Sequence, residues 1–263
     1  MGGRVAADWK GADMAEAAAA TSELFPSQAS ASPALKTGIL PYQAINQMRR
    51  EHEIYASDGD ITNAQVQPAS LDLRLGQVAY RVRASFLPGP EATVLEKIQQ
   101  LDGYEIDISA GAVLERGCVY VIPLLESLNL KNGLTGFANP KSSTGRLDIL
   151  TRLITDRGTA FDQVEKNYAG PLYAEIAPRT FSVVVRPGSK LNQIRFRRGS
   201  PQLASSELQR LHDEGALLFG DDSRQTLKEK LVGVSIDLQG NGRGSLIGYR
   251  AKKHTDRIDI DQV

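Results

Sequence analysis

The apolar positions of this chain change their period near residue 66. Before that point Tyr42, Ile45, Met48 and His52 recur at helical spacing, which predicts a helix over about 41–55, just after "TGILP". Beyond it the pattern breaks into short runs that alternate or are largely β-branched. "VAYRVRA" (78–84), "YEIDIS" (104–109) and "CVYVIPLL" (118–125) are the clearest strands. "TFSVVVRPGSKLNQIRF" (180–196) reads as two strands joined by a turn at Pro187-Gly188. Many short strands separated by turn signals predict a mainly β barrel or sandwich with a few peripheral helices. Toward the C-terminal side, Ser205 or Ser206 caps a helix carrying Leu208 and Leu211 and ending near Gly215. A second helix is expected from about Ser223 to Leu231.

The pattern also divides the chain. Residues 1–34 are rich in Ala, Ser and Gly and have little hydrophobic period, as expected of a flexible tail. A β domain follows over 35–200, then a helical connection over 201–231. Within the remainder, "ASLDLRLG" (69–76) is echoed by "VSIDLQGN" (234–241), and "AYRVRA" (79–84) by "GYRAKK" (248–253). The shared order reads 232–263 as the start of a second, truncated copy of the fold. Two unrelated strands built from common residues would leave the same echoes.

Composition narrows the classes of function. A chain of 263 residues, 41% hydrophobic and 24% charged, suits a soluble globular protein of one large domain or two small ones. Its 31 basic and 31 acidic residues balance, so composition offers no basic surplus for a polymeric nucleic acid. No apolar run reaches the roughly 18 residues of a membrane-spanning helix, and the N-terminus lacks a secretory pattern. The single cysteine, Cys118, excludes an internal disulfide framework and fits a reducing cytoplasm. The three histidines, His52, His212 and His254, are far apart and offer no zinc-ligand spacing. Hydrolytic chemistry would then rest on carboxylates and hydroxyls, without protein-held zinc.

Two stretches carry such chemistry. "NPKSSTGRLDI" (139–149) collects Lys141, Ser142, Ser143 and Arg146 around Gly145. Cations, hydroxyls and an accessible backbone are what a triphosphate requires. A solvated polar turn of the same composition is the plain alternative. In "GPLYAEIA" (170–177), strand alternation sets Leu172, Ala174 and Ile176 on one face and Tyr173 and Glu175 on the other. A carboxylate in the middle of an apolar strand is costly to bury unless paired or protonated, and burial tunes carboxylates toward general-base work near neutrality. On a solvated face Glu175 would instead be an ordinary strand glutamate.

"QPASLDLRLG" (67–76), "PKSSTGRLDI" (140–149), "FDQVEKNYAGPLYAEI" (161–176) and "RPGSKLNQIRF" (186–196) occur in this order. Together they resemble the superfamily of deoxycytidine triphosphate (dCTP) deaminases and trimeric dUTPases, over roughly 35–200. The resemblance implies a distorted, jelly-roll-like β-barrel that assembles as a homo-oligomer, a trimer, with active sites between subunits. It implies Glu175 as catalytic base, a position where typical dUTPases lack the glutamate. It implies Ser142 at the reacting centre, Arg146 holding it, and Lys141 and Ser143 on phosphate. Asp162 would lie near the deoxyribose 3′-hydroxyl, Tyr168 in the loop before Gly170, and Gln193 near the nucleotide. Asp72, in the first motif, would pair with Arg74 on one strand face or approach the phosphates.

Some positions depart from the pattern. Lys141 stands where arginine is usual, which keeps the charge but loses the bidentate fork. Asp148 stands where glycine is common, and the loop before Tyr168 is slightly long. "QGNGRGSLIG" (239–248) only superficially resembles the glycine-rich phosphate arm of dUTPases.

The implied reaction is hydrolytic deamination of dCTP to dUTP and ammonia, with Mg2+ carried in on the triphosphate. Two alternatives stay open. One is a dUTP pyrophosphatase, alone or coupled to deamination, with Asp162 activating water. The other is a non-catalytic nucleotide-binding module.

Overall fold

Strand alternation sorts the chain into two antiparallel sheets over a shared apolar interior. The computed structural model describes residues 37–199, 204–215, 226–228, 231–233, 236–240, 242, 244–249 and 256–262, all within one compact unit, Thr37–Val263. One sheet runs β1 (Gly38–Ile39), β13 (Asn192–Arg198), β8 (Leu134–Pro140), β10 (Gln163–Val164), with β3 (Leu71–Leu73) also paired to β13. The other runs β5 (Tyr104–Asp107), β4 (Val78–Val82), β7 (Val119–Asn129), β11 (Ala169–Pro178), β9 (Ile149–Thr155), with β2 (Ile54–Ala56) on β7. A small third sheet joins β6 (Ala112–Leu114), β12 (Val183–Val185) and, parallel to β12, β16 (Ile258–Asp259). The architecture is the mainly β, distorted jelly-roll-like barrel expected from the strand pattern and the resemblance.

The main core gathers Leu71, Leu73, Leu75, Tyr120, Ile122, Leu153, Leu172, Ile176, Ile194 and Phe196 between the sheets. A smaller cluster, Val82, Val94, Ile98, Val121, Ile154 and Tyr173, lies on the other face of the second sheet, where α2 (Val94–Gln100) covers it. Thr93 and Glu96 start that helix with a reciprocal capping box. β11 runs between the two clusters. Leu172, Ala174 and Ile176 enter the main core, and Tyr173 joins the smaller one, as strand alternation required.

Four expectations meet a different structure. The first helix, α1 (Tyr42–Arg50), stops well before residue 55. His52 takes a left-handed φ of +53°, its N–H reaches the Arg49 carbonyl, and the Glu53 N–H reaches back to Met48. This is a Schellman ending, formed here without glycine. The two strands flanking Pro187-Gly188 do not form a hairpin. β12 pairs with β6 and β16, while β13 pairs with β8, β3 and β1. The turn between them bonds to Leu75 instead: the Gly188 N–H donates to the Leu75 carbonyl at 2.8 Å, and the Leu75 N–H to Ser189 at 3.0 Å.

The helix expected over 223–231 is replaced, where described, by paired strands β14 (Thr226–Lys228) and β15 (Leu231–Gly233). Where the echo of the first motif is described, at 236–240, Asp237 accepts from the Gln239 and Gly240 N–H groups in a turn rather than a strand. The helix after Ser205 is present, as Ser205–Gly215. The N-terminal tail and the echo at 250–253 lie outside the described residues. No helix among the described residues is long and apolar enough to cross a membrane.

Candidate active site

Glu175 lies in the interior of the second sheet, between Val121 on β7 and Arg152 on β9, and is only 2% exposed. It is not a solvated strand glutamate. Arg152 stands directly opposite and donates to Oε1 through Nε, at 3.1 Å, and through Nη2, at 2.5 Å. The second oxygen, Oε2, is buried with no partner among the described residues. Arg152 is itself held by two further contacts. Nη2 donates to Ser85 Oγ at 2.7 Å, and the guanidinium sits 3.7 Å from the centroid of the Phe161 ring.

Asp162 follows Phe161 and comes close to the same pair. Its φ of +62° is left-handed, which aspartate tolerates better than most residues. Its Oδ1 accepts from the Leu153 N–H at 2.8 Å, its own N–H donates to the Leu153 carbonyl at 2.9 Å, and its carbonyl accepts from Ala138 at 2.8 Å. Asp162 thus ties β9 to β8. Burial pushes its carboxyl above the usual carboxylate range and the negative charge of Glu175 adds to this, against the Leu153 N–H and the Arg152 charge. The Arg152 guanidinium therefore pairs with buried Glu175 and acts on half-buried Asp162 through its charge alone.

The motif at 139–149 forms a turn of helix at the end of β8. Lys141 donates its N–H to Leu191, and buried Thr144 donates its hydroxyl to the same carbonyl at 2.7 Å. These bonds pin α3 (Ser142–Arg146) by its inner side. Ser142, Gly145 and Arg146 are left exposed and Ser143 half-exposed. Among the described residues, the side chains of Ser142, Ser143 and Arg146 have no hydrogen-bond partner. A Cβ at Gly145 would meet nothing within 4 Å, so packing inside the chain does not demand glycine there. Asp148 has a φ of +54°, the left-handed conformation glycine adopts most readily, and its carboxylate accepts from Thr180 at 2.7 Å.

Lys141 forms an ion pair with Asp72, which is 2% exposed and whose other oxygen has no partner among the described residues. The Asp72–Arg74 pair expected from the strand face does not form. Arg74 bonds Glu126 at 2.7 Å and Asp58 at 2.8 Å instead. Gln193 sits opposite Asp72 and Asn139 in the first sheet and accepts from Ser70 Oγ at 2.8 Å. Tyr168 has its hydroxyl committed to backbone: it donates to Pro171 at 2.6 Å and accepts from Asp156 at 3.2 Å. A Cβ on Gly170 would meet that hydroxyl at 2.7 Å, which accounts for the Tyr-x-Gly spacing within the chain itself.

The structure therefore makes two groupings. Glu175, Arg152 and Asp162 form one. Lys141, Asp72 and Gln193, beside the exposed donors of α3, form the other. No hydrogen bond among the described residues links Ser142 or Arg146 to Glu175. Arg152, Ser85 and Phe161 were not singled out from sequence. Arg152 did leave a signal, as a lone cation in the apolar strand "ILTRLIT" (149–155). Its partner, however, follows only from the β9–β11 register. Among the described residues no three His, Cys, Asp or Glu side chains come together as a metal site.

Both groupings lie within a stretch that matches a known family. The model of the 2′-deoxycytidine 5′-triphosphate deaminase N-terminal domain matches residues 36–200, and that of the C-terminal domain matches 204–263. The crystal structure of 2′-deoxycytidine 5′-triphosphate deaminase from Agrobacterium tumefaciens is similar to this chain at 49% identity and a TM-score of 0.75. The similarity covers 86% of this chain and 66% of that one, so the chain spans just under two thirds of that protein's length. No curated protein matches.

Proposed function

The chain belongs to the 2′-deoxycytidine 5′-triphosphate deaminase family, and from that premise we propose that it hydrolyses dCTP to dUTP and ammonia. The observation that carries this reading is Glu175, a glutamate buried inside a sheet, with one oxygen held by Arg152 and the other without a partner among the described residues.

In this reading Glu175 Oε2 takes a proton from water as the water oxygen bonds to C4 of cytosine. Glu175 delivers that proton to N3 as the C4–N3 double bond gives up its electron pair. It then takes the remaining hydroxyl proton at C4 and passes it to the exocyclic amine. The C4–N bond breaks, ammonia leaves and C4 becomes a carbonyl. A positioned acid–base group of this kind contributes about 10²–10⁴-fold. Ser142 orients the developing tetrahedral centre and Arg146 steadies Ser142 and its local charge. Lys141 and Ser143 bind phosphate, with Lys141 exchanging part of its pairing with Asp72 for the nucleotide. Asp162 lies toward the sugar, Gln193 borders the nucleotide, and Tyr168 acts through the loop it pins. Mg2+ arrives as part of the substrate, on triphosphate oxygens and water. The protein supplies no zinc in this scheme; the carboxylate activates the water.

The two groupings meet, in this reading, between copies of the chain in a homo-oligomer, a trimer of a cytoplasmic nucleotide enzyme. Replacing Glu175 with Gln tests the mechanism. Ammonia release from dCTP should fall at least 10²-fold while dCTP affinity stays within a few-fold. Near-normal turnover by Glu175→Gln would refute it.

A second carboxylate beside the first, Asp162, favours one extension: a coupled pyrophosphatase. Separating the products decides between them, since dUTP alone marks a deaminase and dUMP marks the bifunctional enzyme. Tight dCTP binding with no product at all would mark a binding module.

A further inference from the structure

Arg152 falls between the motif at 140–149 and the motif at 161–176, so neither accounts for it. The β9–β11 register fixes its backbone directly opposite Glu175. Its side chain reaches Glu175 with two donors that converge on the same oxygen, Oε1. A guanidinium commonly grips both oxygens of a carboxylate side by side. Here the grip on one oxygen leaves Oε2 buried with no partner among the described residues.

The arginine is also braced. Ser85 takes a hydrogen bond from Nη2, and the Phe161 ring stacks beneath the guanidinium. The other groups around Glu175 are Val121 on β7, Tyr80 one strand further on β4, Tyr173 on its own strand, and Asp162 on the loop after β9. Arg152 is the one cation among these named neighbours.

We propose that Arg152 is a positioning residue: it aims Oε2 of Glu175 at the attacking water and balances the negative charge of the carboxylate in a site with little water. The assignment rests on the deaminase reading for its catalytic consequence. Its structural half, the hold of Arg152 on Glu175, stands on geometry alone. Without the arginine, the ionised carboxylate loses its nearest opposite charge, and ionising it becomes harder. Lysine keeps the charge but not the two converging donors, so it restores the function only in part. Phe161→Leu removes the stacked ring while leaving both charged groups in place.

The test uses the whole chain with glutamate carboxyl carbons labelled with 13C, and Glu175→Gln to identify the Glu175 signal. The titration midpoint of that signal is measured without nucleotide in the parent, Arg152→Gln, Arg152→Lys and Phe161→Leu. In parallel, dCTP affinity and ammonia release are followed across pH. We expect Arg152→Gln to raise the midpoint by about one unit or more, with Arg152→Lys and Phe161→Leu between it and the parent. We expect kcat to fall about 10–100-fold, its acid limb to move to higher pH, and dCTP affinity to change less than about threefold.

An unshifted midpoint in Arg152→Gln overturns the assignment, whatever happens to the rate. Equal losses in the Gln and Lys variants with an unmoved acid limb also overturn it, and reduce Arg152 to a packing residue. If Arg152→Gln fails to fold, Phe161→Leu decides by the same readouts. No ammonia from the parent protein would overturn the deaminase reading, while the titration would still decide the hold of Arg152 on Glu175.

Discussion

Asp162 shows what a single residue contributes at this site. Its φ of +62°, its hydrogen bond from Leu153 and its backbone bonds to two strands make it a structural fastener as well as a candidate ligand. Burial keeps its carboxyl protonated to a higher pH in the fold than in the unfolded chain. At low pH both states carry the proton and nothing is lost. As pH rises past the ordinary carboxylate value of about 4, the unfolded chain ionises first and is favoured. The loss is complete once pH passes the raised folded value. Asparagine tolerates the same backbone and keeps the oxygen that accepts from Leu153, but does not titrate. The melting temperature of the parent minus that of Asp162→Asn should therefore fall as pH rises from about 4 and then level off. A difference that grows with pH would contradict this account. Sequence alone placed Glu175 on the correct face, because period-2 alternation survives in a strand buried on both sides. It did not reveal Arg152, because the partner of a cross-strand cation depends on register.

At the scale of elements, the strands were legible and their partners were not. "TFSVVVRPGSKLNQIRF" has the composition of a hairpin, yet Leu75 takes the hydrogen bonds of its turn and the two strands leave for different sheets. Local turn chemistry specifies a change of direction but not which strand lies alongside. The end of α1 was misplaced for a related reason. The apolar spacing continues to His52, while the chain stops the helix by turning His52 left-handed. Only about 1–2 kcal/mol separates that conformation from the right-handed one in a side-chain-bearing residue, and the two Schellman hydrogen bonds offset it. Histidine is a compromise at this position. His52→Gly should be neutral or stabilise by up to about 1 kcal/mol, and His52→Val should destabilise by about 1–2 kcal/mol. Denaturant unfolding of the three proteins measures both, and a stabilising valine would show that the Schellman ending does not form.

At the scale of the whole molecule, the separation of the two groupings becomes a prediction about assembly. Glu175 is fixed inside the second sheet, and the donors of α3 face outward from the end of β8 with no partner among the described residues. If one chain supplied both halves of a site, a mixture of Glu175→Gln and Ser142→Ala proteins would contain no complete site. If neighbouring copies supply one half each, co-assembled chains behave differently. A site draws its glutamate from one subunit and its serine from the next, so about a quarter of the sites in an equal random mixture hold both parental residues. The two variants should therefore be nearly inactive alone and recover roughly a quarter of parental ammonia release after joint unfolding and refolding. Mixing without subunit exchange should restore nothing. Absence of recovery despite proven co-assembly would place Ser142 and Glu175 in the same chain's site.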